Sequence, residues 1–294
     1  MTLRVIDGMR SLAPAYDGFI LDLWGVVHDG VQPFPGVLDC MERLILAGKR
    51  VVLLSNAPRR ADDVVRRITK IGVPERLYHA VMSSGEEAWQ YLHDRTDSFY
   101  AGLGRRCLHI CSERDLEIRE GLDLDFVERP DEADFILNTG PAEWEDTHAD
   151  YAPLLAAARA RDLPMVCANP DLVVIHGGRP ALCAGAIAEQ YEAQGGRVRW
   201  HGKPYPSVYD SSIALLGIAE RDRILAIGDS LRTDIAGAAR AGIDSLLIAG
   251  GGIHATEFTA PDVNANPTLD RAKIAAAIRD SGATPIAVAA GFVW

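Results

Sequence analysis

Three short apolar runs constrain this chain more than any other feature: Phe19-Ile20-Leu21-Asp22-Leu23-Trp24, Arg50-Val51-Val52-Leu53-Leu54-Ser55 and Ile224-Leu225-Ala226-Ile227-Gly228-Asp229. Each has the length and residue types of a buried strand and carries a polar residue at or near its carboxyl end. Helical patterns separate the runs, the first from about Gly36 to Ala47 and ended by Gly48. Short strands alternating with helices require a parallel sheet with crossover connections, so the fold class is α/β. In open sheets of this kind ligands bind outside the carboxyl ends of the strands. Asp22, Ser55, Asn56 and Asp229 therefore stand where chemistry is expected.

At about 150 residues per domain, 294 residues suggest roughly two domains. The middle of the chain reads as a second α/β unit, with strands expected at Cys107–Cys111, Phe135–Asn138 and Met165–Ala168 and a capping box at Ser84 and Glu87. The third Asp-tipped strand follows this segment, so it is an insertion: residues 1–82 and 197–294 form one domain and 83–196 an α/β unit inserted into it. Gly250 through Pro267 reads as a long surface connection.

Composition narrows the function. With 30 Lys+Arg against 41 Asp+Glu the net charge is -11, which disfavours nucleic acid or an anionic membrane as partner. No uncharged apolar run reaches the roughly 18 residues of a membrane span. The cysteine count is odd, no Cys-x-x-Cys pair occurs, and the first residues carry charges where a signal peptide is apolar, so a cytoplasmic location is expected.

Four separated pieces describe phosphate chemistry: Asp22, Ser55-Asn56, Lys203 in Gly202-Lys203-Pro204, and Gly228-Asp229-Ser230 followed by Asp234. A carboxylate can attack phosphorus and split one hydrolysis into two easier steps, which makes Asp22 the candidate nucleophile. Asp22 and Asp229, at adjacent strand ends, suit one Mg2+, a hard ion that takes oxygen ligands. Ser55, Asn56 and Lys203 offer the hydroxyl, amide and ammonium that stabilise a phosphoryl group. Asp234 reads either as a first-turn acid of a helix Thr233–Ala241 or as a residue supporting the metal site.

These pieces, in this order, resemble the four motifs of the haloacid-dehalogenase-like hydrolases. The insertion, with Ala168-Asn169-Pro170-Asp171 and Ala181-Leu182-Cys183-Ala184-Gly185, is similar to that of class IIA, the group of the N-acetylglucosamine-operon phosphatase and nitrophenyl-phosphatase-like enzymes. The resemblance covers about residues 17–255 and implies a Rossmann-like catalytic core over residues 1–82 and 197–294, with 83–196 as its inserted α/β cap domain. It implies Mg2+-dependent hydrolysis of a small phosphorylated metabolite, such as a sugar phosphate, through an aspartyl-phosphate at Asp22. It also implies Asp229 and the backbone carbonyl of Trp24 as metal ligands, and Asn169 and Asp171 as a cap loop on the substrate side.

The chain departs from the resembled phosphatases at Trp24, where they carry an acid/base Asp; an indole cannot transfer that proton. His28 or Asp29 are the candidates to replace it, although Asp29-Gly30 is also a strong turn signal. Two alternatives to a phosphatase stay open on this ground: a non-catalytic phosphate and Mg2+ binding protein, and a hydrolase of a carbon–halogen or carbon–phosphorus bond. Cys107, His109 and Cys111 share a strand face but lack the further ligand a structural zinc site requires. The tail Phe292-Val293-Trp294 is expected to dock on the core, a homodimer interface being the alternative.

Overall fold

The computed structural model describes residues 3–176, 179–260 and 268–294. The chain divides into two compact units, one made of Met1–Ser55, Asp62–Met82 and Lys203–Trp294, the other of Asn56–Ala61 and Ser83–Gly202.

The first unit is built on a seven-stranded sheet in the order Val5–Ile6, Ala287–Ala289, Asp244–Ile248, Ile224–Gly228, Gly18–Asp22, Arg50–Ser55, Ala80–Ser83. The pairings from Val5–Ile6 to Arg50–Ser55 are parallel. Both faces are covered, which is why the strands read as continuous apolar runs rather than alternating ones. On one face Ile20, Val52, Leu54, Ile224 and Ala226 pack with Val208, Tyr209, Ile213 and Leu216 of the helix Pro206–Leu216. On the other, Leu247 and Val288 pack with Ile274 and Ile278 of the helix Arg271–Ser281. The first central strand stops at Asp22, two residues short of the expected Trp24, because the chain reverses at once: the amides of Val27 and His28 both donate to the Leu23 carbonyl. The tail docks on this unit, with Phe292 buried and the Val293 carbonyl accepting from the Met9 amide at 2.7 Å.

The second unit carries a five-stranded parallel sheet in the order Val198–Trp200, Met165–Cys167, Phe135–Asn138, Arg106–Ile110, Asp125–Val127. Alternate residues face opposite sides. Leu108 and Ile136 enter one apolar cluster, while Cys107, Phe135 and Leu137 enter another. Residues 197–202, expected in the core, belong here because Val198–Trp200 pairs with Met165–Cys167. Residues 56–61 also belong here: Arg60 Nε and the Ala61 amide both donate to Glu86 Oε2, at 2.7 and 3.0 Å.

The expected capping box is displaced by one residue. Ser83, not Ser84, caps the helix Ser84–Asp94, its hydroxyl accepting from the Glu86 amide at 3.0 Å. Glu87 is instead fully buried, its Oε2 lying 3.1 Å from His201 Nδ1 and accepting from the Gly202 amide at 3.0 Å. His201 Nε2 in turn pairs with the Tyr100 hydroxyl.

The expected connection from Gly250 to Pro267 contains a 3-10 turn, Gly252–His254, and a short helix, Ala255–Phe258. Its residues 261–267 lie outside the described residues. Among the described residues no helix is long and apolar enough to cross a membrane.

Candidate active site

The central strand Gly18–Asp22 lies between Ile224–Gly228 and Arg50–Ser55, with Leu21 opposite Ile227 and Asp22 opposite Leu54. This register brings Asp22, Asp229 and Ser55 to the carboxyl edge of three adjacent strands. Asp229 follows its strand directly, and Ser230 then caps a π-helical turn, Leu231–Ile235, that leads into the helix Ala236–Ala241. The turn directs Asp234 back to the strand end: its Oδ2 accepts from the Ser230 amide at 3.1 Å, and its side chain packs onto Gly228. A Cβ on Gly228 would lie 2.1 Å from Asp234 Cβ, so only glycine permits this approach. Tyr209, which sequence reasoning missed, donates its hydroxyl to the Asp234 carbonyl at 3.0 Å.

Ligand oxygens of Asp22, Asp229 and Asp234 all lie within 4.8 Å of one another. Lys203 joins them: its Nζ donates to Asp22 Oδ1 at 2.6 Å and to Asp234 Oδ1 at 2.7 Å. All four residues are buried. Burial pushes the Asp22 carboxyl well above its ordinary pKa, and Asp234 and Asp229 push it further against the opposing pull of Lys203. Burial and then Asp234 raise Asp229 to about 6, while the Ile253 amide works against that rise. For Lys203 burial acts downward, but Asp22 and Asp234 outweigh it and hold the ammonium charged. Three carboxyl groups face one ammonium, so oxygen donors stand in excess over the cation. Hard oxygen donors with that excess fit a divalent cation of the Mg2+ type.

Beyond Asp22 the chain forms a tight turn. Trp24 pairs with His28 in an isolated parallel β-bridge, and the residue is 41% exposed. Asp29 is the turn residue: its Oδ1 accepts from the amides of Val31 and Gln32, each at 2.8 Å, and these bonds hold the carboxyl below its usual range. His28 Nδ1 accepts from the Gly30 amide at 3.0 Å, and burial lowers the imidazole pKa. Near neutral pH Asp29 is thus an anion and His28 neutral. Neither is a protonated acid.

The expected residues are not all gathered in one unit. Asn56 belongs to the second, where its Nδ2 donates to Asp171 Oδ1 at 2.9 Å. Asn169 Oδ1 accepts from the Asp171 amide at 2.9 Å, closing the Asn169-Pro170-Asp171 turn. Gly185 seats that turn, since a Cβ there would lie 2.6 Å from the carbonyl oxygens of Pro170 and Asp171. Asn56 therefore gives its amide to a carboxylate of the Asn169-Pro170-Asp171 turn, a partner that only the fold brings to it. His109, on the Cys107/Cys111 face, bonds Thr139 and Arg119; among the described residues the acid trio is the group with metal-ligand geometry.

Comparison with known proteins matches residues 19–125 to a haloacid dehalogenase-like hydrolase family model and residues 200–275 to a HAD-hydrolase-like model. A solved structure of a haloacid dehalogenase-like family hydrolase from Brucella suis is 36% identical, covers 98% of this chain and 100% of its own, and superposes with a TM-score of 0.81. A D-glycerol 3-phosphate phosphatase of Mycobacterium tuberculosis is 28% identical over 82% of this chain, which spans 65% of that protein's length. A 4-nitrophenylphosphatase of Schizosaccharomyces pombe is 24% identical over 77% of this chain and 80% of its own.

Proposed function

The chain belongs to the haloacid dehalogenase-like hydrolases of class IIA, and on that footing we propose that it is a Mg2+-dependent phosphatase acting on a small phosphomonoester through Asp22. The observation that supports this reading is the buried Asp22–Lys203 pair within the acid trio, a carboxylate, an ammonium and further carboxyl oxygens gathered at one sheet edge. Asp22 attacks phosphorus as the bond to the leaving oxygen breaks, and that oxygen takes its proton from solvent. Water then attacks the phosphorus of the aspartyl-phosphate, which frees inorganic phosphate and restores the carboxylate. Lys203 holds Asp22 and compensates charge on the phosphoryl oxygens, with Ser55 as a hydroxyl donor. Asp22, Asp229 and the Trp24 carbonyl, with Asp234 in support, would hold Mg2+, which would supply further charge neutralisation. The inserted unit is the cap on this reading.

Substrate choice follows from Trp24. With no protonated acid at residues 24, 28 or 29, departure is easiest for leaving groups that need little protonation, such as aryl or acyl phosphates. The deciding experiment measures phosphate release from sugar, nucleotide, glycerol, aryl and acyl phosphates with and without Mg2+. Release that requires Mg2+ and favours the aryl and acyl esters supports the reading. Phosphate binding with no release from any ester would make the protein a binding protein instead.

A further inference from the structure

Gly250, Gly251 and Gly252 are each pressed against a different neighbour. A Cβ on Gly250 would lie 2.3 Å from the Ala290 carbonyl oxygen, one on Gly251 2.2 Å from that of Gly25, and one on Gly252 1.8 Å from Asp229 Oδ2. No side chain tolerates such distances, so this run is a close-packing segment and not a flexible connection. Gly25 and Gly252 both take left-handed backbone, with φ of +89° and +66°. A Cβ on Gly25 would also come 2.7 Å from Asp229 Oδ2. The next residue completes the enclosure. The Ile253 amide donates to Asp229 Oδ2 at 2.7 Å, the length of a charge-assisted bond, while the residue as a whole is 63% exposed.

We propose that Gly25, Gly252 and the Ile253 amide form a clamp that fixes the Asp229 carboxylate for the divalent cation, with Ile253 a positioning residue acting through its backbone. The inference rests on the metal-dependent reading above. Partners that orient a metal-ligating carboxylate are worth about 10–100-fold in metal affinity.

The test is calorimetric titration of Mg2+ alone into the whole protein and its variants. Ile253→Pro deletes the amide and is expected to weaken Mg2+ binding by about 10–100-fold, while Ile253→Ala keeps the amide and retains the parent affinity. At saturating Mg2+ the KM of Ile253→Pro for nitrophenyl phosphate stays near the parent value. Equal Mg2+ affinity in parent and Ile253→Pro overturns the clamp alone; a parent that binds no Mg2+ overturns the clamp and the metal reading together. Hydrogen exchange of the parent's Ile253 amide decides the matter without any variant, since slowing on Mg2+ addition supports the clamp and an unchanged rate overturns it.

Discussion

Lys203 Nζ stands 2.6 Å from Asp22 Oδ1, although the two residues are 181 positions apart in the chain. The pair is buried on both sides, and Asp234 shares the same ammonium at 2.7 Å. A buried carboxylate so held is fixed in direction, which a nucleophile needs before its target arrives.

Asp22→Asn should therefore abolish hydrolysis. An amide does not attack phosphorus, and loss of a nucleophile costs about 10³-fold or more in turnover. The variant should keep the parent's circular dichroism. Turnover of nitrophenyl phosphate at the parent rate would remove Asp22 from the mechanism.

The raised carboxyls make the effect of Mg2+ depend on pH. Asp229 titrates near 6 in the folded, metal-free protein, above its ordinary value of 3.8. A raised acid is protonated more in the folded than in the unfolded state between those values, so its contribution to stability is present at low pH and is lost as pH rises through 6. Mg2+ binds the ionised form and competes with the proton. Thermal melts should then show a larger Mg2+-induced rise in Tm at about pH 7.5 than at about pH 5. An equal rise at both would show that the acids are not the ligands.

Trp24→Asp should raise turnover of alkyl phosphates such as glycerol phosphate, up to the 10²–10⁴-fold, roughly, that a positioned acid/base supplies. Trp24 is 41% exposed, so loss of its indole opens little core. Steady-state rates on glycerol phosphate and nitrophenyl phosphate decide the point, since the aryl ester should gain less. If the parent is already fast on the alkyl ester and Trp24→Asp slows it, another group serves as acid/base, and Asp29→Asn becomes the variant to measure.

Asn56→Ala should act on stability more than on phosphate affinity. It deprives the Asp171 carboxylate of an amide donor at 2.9 Å, a loss of about 1.5–3 kcal/mol for a bond to a charged group. Urea unfolding monitors the first effect and vanadate inhibition the second. Weakened vanadate binding with unchanged stability would return Asn56 to the phosphate site.

The sequence by itself determined the α/β class and the placement of Asp22, Ser55 and Asp229 at strand ends, because apolar run length and residue type are local properties of the chain. The order of the four polar pieces is equally visible there, and with it the family resemblance. Tertiary structure alone decided the partners. That Ser83 and not Ser84 caps its helix follows from Glu87 being drawn inward to His201, a contact between distant residues. The commitment of Asn56 to Asp171 is another such contact, as is the close packing of Gly250-Gly251-Gly252 against Ala290, Gly25 and Asp229. Three glycines in a row carry no periodicity and no charge, so sequence offers only their permissiveness. What they permit here, a backbone laid directly against a carboxylate, exists only once the strand carrying Asp229 and the loop after Ile248 have been brought side by side.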